Sequence, residues 1–321
     1  MILKALCVGI DNYQTYNPLH GCVNDALSVC DVLSRNDDGT VNFSVKLLTA
    51  PNAPDKSNLV TRSQLKLAIH DLFHDYSDVA LFYFSGHGHL DNTGGYLITS
   101  DGHDADLGLE LESVLKSASL SKAANKIIIL DSCFAGNAGN LPELGNSTVI
   151  NEGMTILTAC GSDQYAVEEH GHGVFTHLLV DALRGGAMNL LGEVTPGSIY
   201  AHIDQSLGPW DQRPLFKTNV QNFVCLRKNT PPIALRELQR ITEFFPTGDA
   251  VFHLDPSYES QSTCPDKTKC NVFRILQNYN RVNLVVPVEE EHMYYAAMNS
   301  KSCKLTPLGK HYWNLVDKKR I

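Results

Sequence analysis

Short apolar runs alternate with helical patterns along the first two-thirds of this 321-residue chain. Continuous β-branched and aromatic runs of this length are typical of strands buried on both faces; they cover residues 5–10, 43–49, 79–85, 126–130, 153–159 and 214–219. Between the runs, apolar residues recur at helical spacing in segments 24–34, 63–73, 109–120, 174–184 and 197–207. The alternation predicts an α/β domain, in which a mostly parallel sheet has helices on both faces.

Consecutive prolines in NTPP, residues 229–232, follow the last strand-like run and indicate a domain boundary. We therefore predict a first domain over residues 1–228 and a C-terminal accessory region over 229–321. The accessory region mixes helix and strand patterns, which predicts an appended α/β element; its closing stretch also resembles winged-helix modules, which implies a winged-helix-like extension as the alternative. Its closing stretch, LTPLGKHYWNLVDKKRI, predicts a helix that begins at Thr306-Pro307.

Bulk properties restrict the possible partners and surroundings. A net charge of −9 disfavours non-specific binding of nucleic acid, although the lysine-rich segment 301–321 leaves a nucleic-acid or acidic partner as an alternative to a solvated helix. The chain has no 18-residue apolar run and no signal-peptide pattern, so no membrane partner is expected. Nine scattered cysteines fit reduced thiols in the cytoplasm. Cys264 and Cys270 lack a second pair at zinc spacing, so no metal is predicted there.

Reactive side chains follow two of the predicted strands. FYFSGHGH, residues 82–89, places His87 after one apolar run, and IIILDSCF, residues 127–134, places Cys133 after another. Carboxyl ends of parallel strands lie at the same edge of a sheet, so these side chains meet if the strands are neighbours. An imidazole raises the thiolate fraction of a cysteine and can protonate a leaving amine. The N–H groups of Gly88 and Cys133 are candidate oxyanion-hole donors.

The residues alone leave other interpretations of this pair open. A single cysteine after a strand is commonly a small buried hydrophobic side chain, and a single histidine there is commonly a hydrogen-bonded structural residue. His87 and His89 could also form a metal-binding pair, but the spacing indicates no third ligand.

Several stretches of the chain together resemble the caspase-like cysteine peptidases, in particular the metacaspase and prokaryotic caspase-homologue branch. They are ALCVGIDNY, LHGCVNDA, LFYFSGHG, IIILDSCFAG, TILTACGSDQYAVE and GVFTHLLVDAL, in the family's order within residues 3–225. The resemblance implies a caspase-like fold, His87 as general base and acid, Cys133 as nucleophile, and protein substrates. It also implies a role in prokaryotic stress or antiviral defence signalling.

The resemblance further implies an acidic pocket for the residue before the scissile bond, formed here by Cys22, Asp25, Ser85 and Asp131. Two carboxylates in a cleft would hold an arginine or lysine of the substrate by charge-assisted hydrogen bonds. Each aspartate also has a purely structural interpretation. Asp25 suits the first turn of a helix because of the helix dipole, and Asp131 can hydrogen-bond a local turn.

Expectations about cofactors and control follow from the same comparison. No cofactor is required by the chemistry, but some metacaspases bind calcium, and Asp101, Asp104 and Asp106 could provide carboxylates or form a solvated loop. Residues 134–152 contain no lysine or arginine, so an enzyme of basic specificity would not cut itself there. No segment precedes the first strand, so control is expected from an activating protein, a cut elsewhere or the ordering of a loop.

Two other functions compete with proteolysis. The chain could be an inactive pseudo-peptidase that binds partners through residues 229–321, or an acyl hydrolase or ligase that uses the same two residues. Retention of both His87 and Cys133 favours an enzyme, because a scaffold has no chemical need of the pair.

Overall fold

The structure is a computed structural model that describes residues 1–52, 58–91, 94–103, 106–132, 150–159, 168–169, 172–208 and 213–321. Cys133 and Asp104 lie outside the described residues. The chain divides into two compact units, Met1–Thr230 and Pro231–Ile321, called unit 1 and unit 2 below.

Unit 1 alternates strands and helices along most of its length. Its strands are β1 (Leu3–Ile10), β2 (Ser44–Ala50), β3 (Val79–Ser85), β4 (Gly88–Asp91), β5 (Gly94–His103), β6 (Asp106–Glu110), β7 (Asn125–Asp131), β8 (Met154–Thr158), β9 (Glu168–Glu169), β10 (His172–Gly173), β11 (Glu193–Val194), β12 (Leu215–Asn219) and β13 (Arg227–Lys228). Its helices are α1 (Cys22–Ser34), α2 (Arg62–His74), α3 (Leu111–Ser119), α4 (Val174–Asp181) and α5 (Pro196–Ser206). A short π-helical turn, Ala182–Gly186, continues α4.

The central sheet has six strands in the order β12-β8-β7-β3-β1-β2. All neighbours pair in parallel except β12, which runs antiparallel to β8 at one edge. β3 lies between β1 and β7, so the strand that precedes His87 is in the interior of the sheet. The predicted mostly parallel sheet is confirmed, and each apolar run listed above forms one of its strands.

Both faces of this sheet are covered by helices, as predicted. Along β1, Leu6, Val8 and Ile10 join a core with α2 and α3, whereas Ala5 and Cys7 join a second core with α1, α4 and α5. Successive strand residues point to opposite faces, so one continuous apolar run supplies both cores. This two-sided burial explains why the runs do not alternate with polar residues.

Along the chain, β3 is followed by β4, β5 and β6, which form a separate antiparallel ribbon before α3. The sequence patterns did not predict this ribbon. Its sequence contains many polar residues and glycines and lacks a continuous apolar run, so it resembles a loop. Gly108, at φ +143 within β6, has no space for a β-carbon beside the backbone of Ile98 and Thr99. The ribbon begins at Gly88, directly after the predicted catalytic histidine.

Unit 2 is a small α/β assembly. Its antiparallel sheet has the order β14-β16-β15, formed by β14 (Val251–His253), β15 (Val285–Val288) and β16 (Ser302–Leu305). Its helices are α6 (Leu235–Leu238), α7 (Ile241–Phe244), α8 (Lys267–Arg281), α9 (Met293–Met298) and α10 (Pro307–Asp317). The predicted entry into α10 is confirmed, since Thr306 caps the helix by accepting from the Gly309 N–H and proline occupies the first turn.

Among the helices of the described part of the chain, none combines the length and the apolar character needed to cross a lipid bilayer.

Candidate active site

The site lies at the carboxyl edge of the central sheet, where β3 and β7 end side by side. Ser85, the last residue of β3, pairs with Asp131, the last residue of β7. His87 follows Ser85 by two positions, and Cys133 follows Asp131 by two positions. The neighbouring strands on which the predicted pair depends are therefore present, whereas the position of the Cys133 side chain and N–H lies outside the described residues.

His87 is held by two residues of the segment that follows β1. Its backbone N–H donates to the Tyr13 hydroxyl at 2.8 Å, and its Nε2 lies 2.9 Å from the Asn17 carbonyl oxygen. The imidazole also packs on the Tyr13 ring, with centroids 4.8 Å apart. Because a carbonyl oxygen only accepts, Nε2 carries the hydrogen, and in the neutral ring Nδ1 is the basic nitrogen.

Two buried carboxylates lie beneath this edge. Asp25 on α1 is 1% exposed, and Asp131 is 5% exposed. Asp25 Oδ2 accepts from the Gly173 N–H at 3.0 Å and lies 3.4 Å from Ser85 Oγ. A β-carbon placed on Gly173 would overlap Asp131 Oδ2 and lie 3.1 Å from Asp25 Oδ2. The structure thus brings Asp25, Ser85 and Asp131 together from three separate parts of the chain.

A chain of hydroxyl groups reaches Asp131 from the interior of the sheet. Thr176 Oγ1 donates to Asp131 Oδ2 at 2.6 Å, and Tyr83 Oη lies 2.6 Å from the same threonine oxygen. Since the threonine has one hydroxyl hydrogen and gives it to the carboxylate, Tyr83 donates to Thr176. The pKa of Tyr83 is raised well above its ordinary value, first by burial and then by the charges of Asp25 and Asp131, so this donor stays protonated.

The structural interpretations of the two aspartates account for only part of these contacts. Asp25 does lie in the first turn of α1, but its carboxylate also accepts from Gly173, 148 positions away. Asp131 ends β7 and is bound by Thr176, 45 positions away, rather than by a local turn alone. Cys22 lies one turn before Asp25 and is buried, and its N–H donates to Asp11 Oδ1 at 2.9 Å.

The residues considered for calcium have other partners. Asp101 Oδ1 accepts from the Arg62 N–H at 3.0 Å and from Thr99 Oγ1 at 2.7 Å, and Asp106 forms an ion pair with Arg62 at 2.6 Å. Asp104 lies outside the described residues. Among the residues that the structure does describe, no three His, Cys, Asp or Glu side chains are grouped to hold a metal ion. Asp101 and Asp106 therefore do not fit a calcium site in this arrangement, and no catalytic step is assigned to the ion.

Sequence reasoning missed several residues that surround the predicted ones: Tyr13, Asn17, Tyr83, Gly173 and Thr176. All except Asn17 lie within stretches that carry the family resemblance, but the pattern assigned them no role. One sequence signal could have pointed to such residues: a polar side chain inside an element that is otherwise apolar and predicted to be in the core. Thr176 lies in the apolar helix α4 and is 1% exposed, and a buried hydroxyl requires a hydrogen-bond partner.

Together, the parallel sheet with helices on both faces and the edge carrying the histidine and cysteine positions define a caspase-like α/β protein. A family model described as the caspase domain matches residues 2–230. The chain therefore belongs to the caspase-domain family, and the resemblance noted from the motifs is confirmed.

Individual relatives are distant and considerably longer than this chain. It is 29% identical to metacaspase-1 of Plasmodium falciparum over 153 residues, covering 43% of this chain and 24% of that protein. It is 26% identical to metacaspase-1 of Cryptococcus neoformans over 180 residues, covering 49% and 37%. The matches thus span well under half the length of these metacaspases.

Solved structures share the fold. A Geobacter sulfurreducens protein of known crystal structure aligns with a TM-score of 0.51 and 18% identity, covering 69% of this chain and 95% of that one. Caspase-1 from Spodoptera frugiperda aligns with a TM-score of 0.50 and 13% identity, covering 71% and 90%. At these identities the likeness concerns the fold alone.

Proposed function

We propose that this protein is a cysteine endopeptidase that cleaves protein substrates after arginine or lysine. The observation that carries the proposal is the pair of buried carboxylates, Asp25 and Asp131, at the sheet edge where β3 and β7 end, two positions before His87 and Cys133 in the chain. Membership of the caspase-domain family supports the peptidase chemistry.

In the proposed reaction, Nδ1 of His87 takes the proton of the Cys133 thiol, and the sulfur attacks the scissile carbonyl carbon. The N–H groups of Gly88 and Cys133 are the proposed donors to the oxyanion. The imidazolium then returns its proton to the amine as the carbon–nitrogen bond breaks, which leaves a thioester. Water hydrolyses the thioester with His87 again as base, and the thiol is restored. The Asn17 carbonyl oxygen holds the hydrogen on Nε2, so Nδ1 is the nitrogen that takes up and returns the proton in each step.

The electrostatics of the carboxylates support basic specificity. Two negative charges that approach the same point in a poorly solvated region repel each other more strongly than they would in water. A guanidinium between them removes this repulsion and gains charge-assisted hydrogen bonds, each contributing about 1.5–3 kcal/mol. Arginine is expected to be preferred over lysine because its planar group can bind both carboxylates.

Hydrolysis of fluorogenic peptides tests this function. We expect release from peptides ending in arginine or lysine, little release from matched peptides ending in aspartate, and none with Cys133→Ala or His87→Ala. Asp25→Ala should lose most activity on the arginine peptide. Asp71→Ala removes a carboxylate from a surface ion pair with Lys46 and is the matched control that should leave the activity unchanged.

Contrary outcomes distinguish the competing functions. Equal release by the wild type and Cys133→Ala would exclude thiol peptidase chemistry, and preferential cleavage after aspartate would exclude the acidic pocket. A protein that cleaves no peptide but binds partners through residues 229–321 would be the non-enzymatic binding module. A role in regulated stress or defence signalling is supported by the resemblance alone, and identifying lysate proteins with new termini after arginine or lysine would test it.

A further inference from the structure

We propose that Gly173 and Thr176 are specificity-determining positioning residues, and that the segment 173–176 at the start of α4 orients both carboxylates of the pocket. This inference rests on the proposed basic specificity and names the residues that make the pocket selective. It concerns orientation, because neither residue carries charge to the substrate.

Thr176 fixes one of the two carboxylates. Its hydroxyl donates to Asp131 Oδ2 at 2.6 Å and in turn receives the Tyr83 hydroxyl hydrogen. All three side chains are buried, at 5% exposure or less, so water does not readily replace a lost donor. A hydrogen bond to the ionised form of a carboxyl stabilises that form. Thr176 therefore orients Asp131 and stabilises its ionised form.

Gly173 acts on both carboxylates. Its N–H donates to Asp25 Oδ2 at 3.0 Å, and its missing side chain leaves the space into which Asp131 Oδ2 projects. The backbone angles of Gly173 are φ −68 and ψ 132, which any residue adopts easily. Glycine is thus needed here for the space beside the carboxylates rather than for an unusual backbone conformation.

The two donors lie at the start of one helix. Gly173 is the residue before the first turn of α4, and Thr176 lies in that turn, where its side chain is buried between Tyr83 and Asp131. Because helix and core fix the spacing of the donors, a displacement of this segment would reorient Asp25 and Asp131 together. The α4 start is therefore inferred to set selectivity as a unit.

Substitutions at Thr176 test the first donor. Thr176→Val keeps the shape but removes the hydroxyl, and we expect KM for the arginine peptide to rise roughly tenfold while the rate of Cys133 alkylation by iodoacetamide stays near wild type. Because an ionised Asp131 loses a donor, its pKa rises, and the acid limb of kcat/KM should move to higher pH. Thr176→Ser should restore both values. Unchanged KM and pH profile in Thr176→Val would overturn the inference.

A matched control separates a local effect from general destabilisation. Thr155, near the amino end of β8, is another buried threonine, and its hydroxyl lies 2.9 Å from that of Thr218. It is therefore far from the carboxyl ends of the strands, where the site lies. Thr155→Val should leave KM and the acid limb unchanged. If it shifts them as much as Thr176→Val does, the positioning role is refuted.

Substitution of the glycine tests the space between the carboxylates. Gly173→Ala is expected to reduce kcat/KM for the arginine peptide at least a hundredfold while the alkylation rate of Cys133 changes little. Gly248→Ala, whose added β-carbon meets nothing nearer than 3.9 Å, is the control and should behave as the wild type. A Gly173→Ala enzyme with normal selectivity would contradict the proposal.

A direct measurement separates failure of this inference from failure of the proposed function. Carbon-13 NMR titration of the aspartate carboxyls in Cys133→Ala protein, with and without Thr176→Val, reports the Asp131 pKa without any catalysis. A rise in that pKa on loss of the hydroxyl supports the positioning role even if the wild type cleaves no basic peptide. An unchanged pKa refutes it even if the enzyme is specific for arginine.

Discussion

Ser85 and Asp131 lie directly opposite each other at the ends of the parallel strands β3 and β7. Two positions beyond each of them the chain carries a reactive side chain, His87 on one side and Cys133 on the other. The equal offset means that the register of the sheet brings the chain to the same edge immediately before each reactive residue. A slip of the register by one residue would offset Ser85 from Asp131 and turn those two side chains to opposite faces of the sheet, so the parallel pairing itself is part of the site.

Tyr13 is expected to support catalysis by positioning His87. Tyr13→Phe keeps the ring against the imidazole but removes the acceptor of the His87 backbone N–H. Leaving such a donor unsatisfied costs about 1–2 kcal/mol, so kcat should fall roughly 5- to 30-fold, with KM little changed. Steady-state kinetics on the arginine peptide measure this. Tyr200→Phe, where the ring instead stacks on Phe216, is the control, and equal losses in both variants would argue against a specific role.

The segment after Cys133 should survive incubation of the active enzyme. Residues 134–152 contain no lysine or arginine, so an enzyme that cleaves only after basic residues has no site there. Mass spectrometry of the purified protein after prolonged incubation, compared with Cys133→Ala, measures this. New termini within 134–152 that appear only in the wild type would show that basic specificity is wrong, whereas cuts after basic residues elsewhere agree with it.

Gly9 is expected to be necessary for the position of Asp25. A β-carbon on Gly9 would overlap the Cys22 carbonyl oxygen and lie 2.8 Å from the Ala26 β-carbon. Gly9→Ala should push α1 away from β1, lower the free energy of unfolding by about 1–3 kcal/mol, and raise KM for arginine peptides because α1 carries Asp25. Urea unfolding and kinetics measure the two effects. Gly95→Ala, whose β-carbon approaches only the Leu111 side chain at 3.4 Å, should show neither.

The stability of unit 2 should depend on pH through Asp255. Hydrogen bonds from Lys269 and then Ser257 lower the pKa of Asp255 from 3.8 to about 2. Because the folded pKa is the lower one, the stabilisation is complete above 3.8 and is lost as pH falls towards 2. Both partners of the ion pair are more than a third exposed, so we expect a contribution of about 1 kcal/mol or less at pH 7.

Asp255→Asn provides the measurement. Urea unfolding followed by the fluorescence of Trp313, which lies in unit 2, should show a deficit relative to wild type that shrinks as pH falls from 3.8 towards about 2, because the unfolded chain binds the Asp255 proton before the folded state does. Asp317→Asn makes the same charge change on the terminal helix and is the control. A deficit that is constant with pH would mean that Asp255 acts through packing rather than charge.

Local sequence was sufficient for the strands of the central sheet and for the edge that carries the chemistry. Continuous apolar runs such as VALFYFS and KIIIL contain residues that must leave water on both faces of a strand. The glycines and polar residues that follow each run end it, so the positions of His87 and Cys133 at strand ends follow from the order of residues alone. The start of α10 could also be predicted from neighbouring residues alone, because a threonine followed by proline is a complete helix-start signal.

The tertiary structure decided which distant residues surround those ends. Tyr13 contacts His87 across 74 positions, and Gly173 contacts Asp25 across 148; no local pattern distinguishes these partners from other buried polar residues. The ribbon β4–β6 was likewise missed, because its stability comes from pairing and its sequence resembles a loop. Local propensity and burial fix what each segment becomes, whereas the strand order sets which ends meet, and that order depends on the free energy of packing the whole core at once.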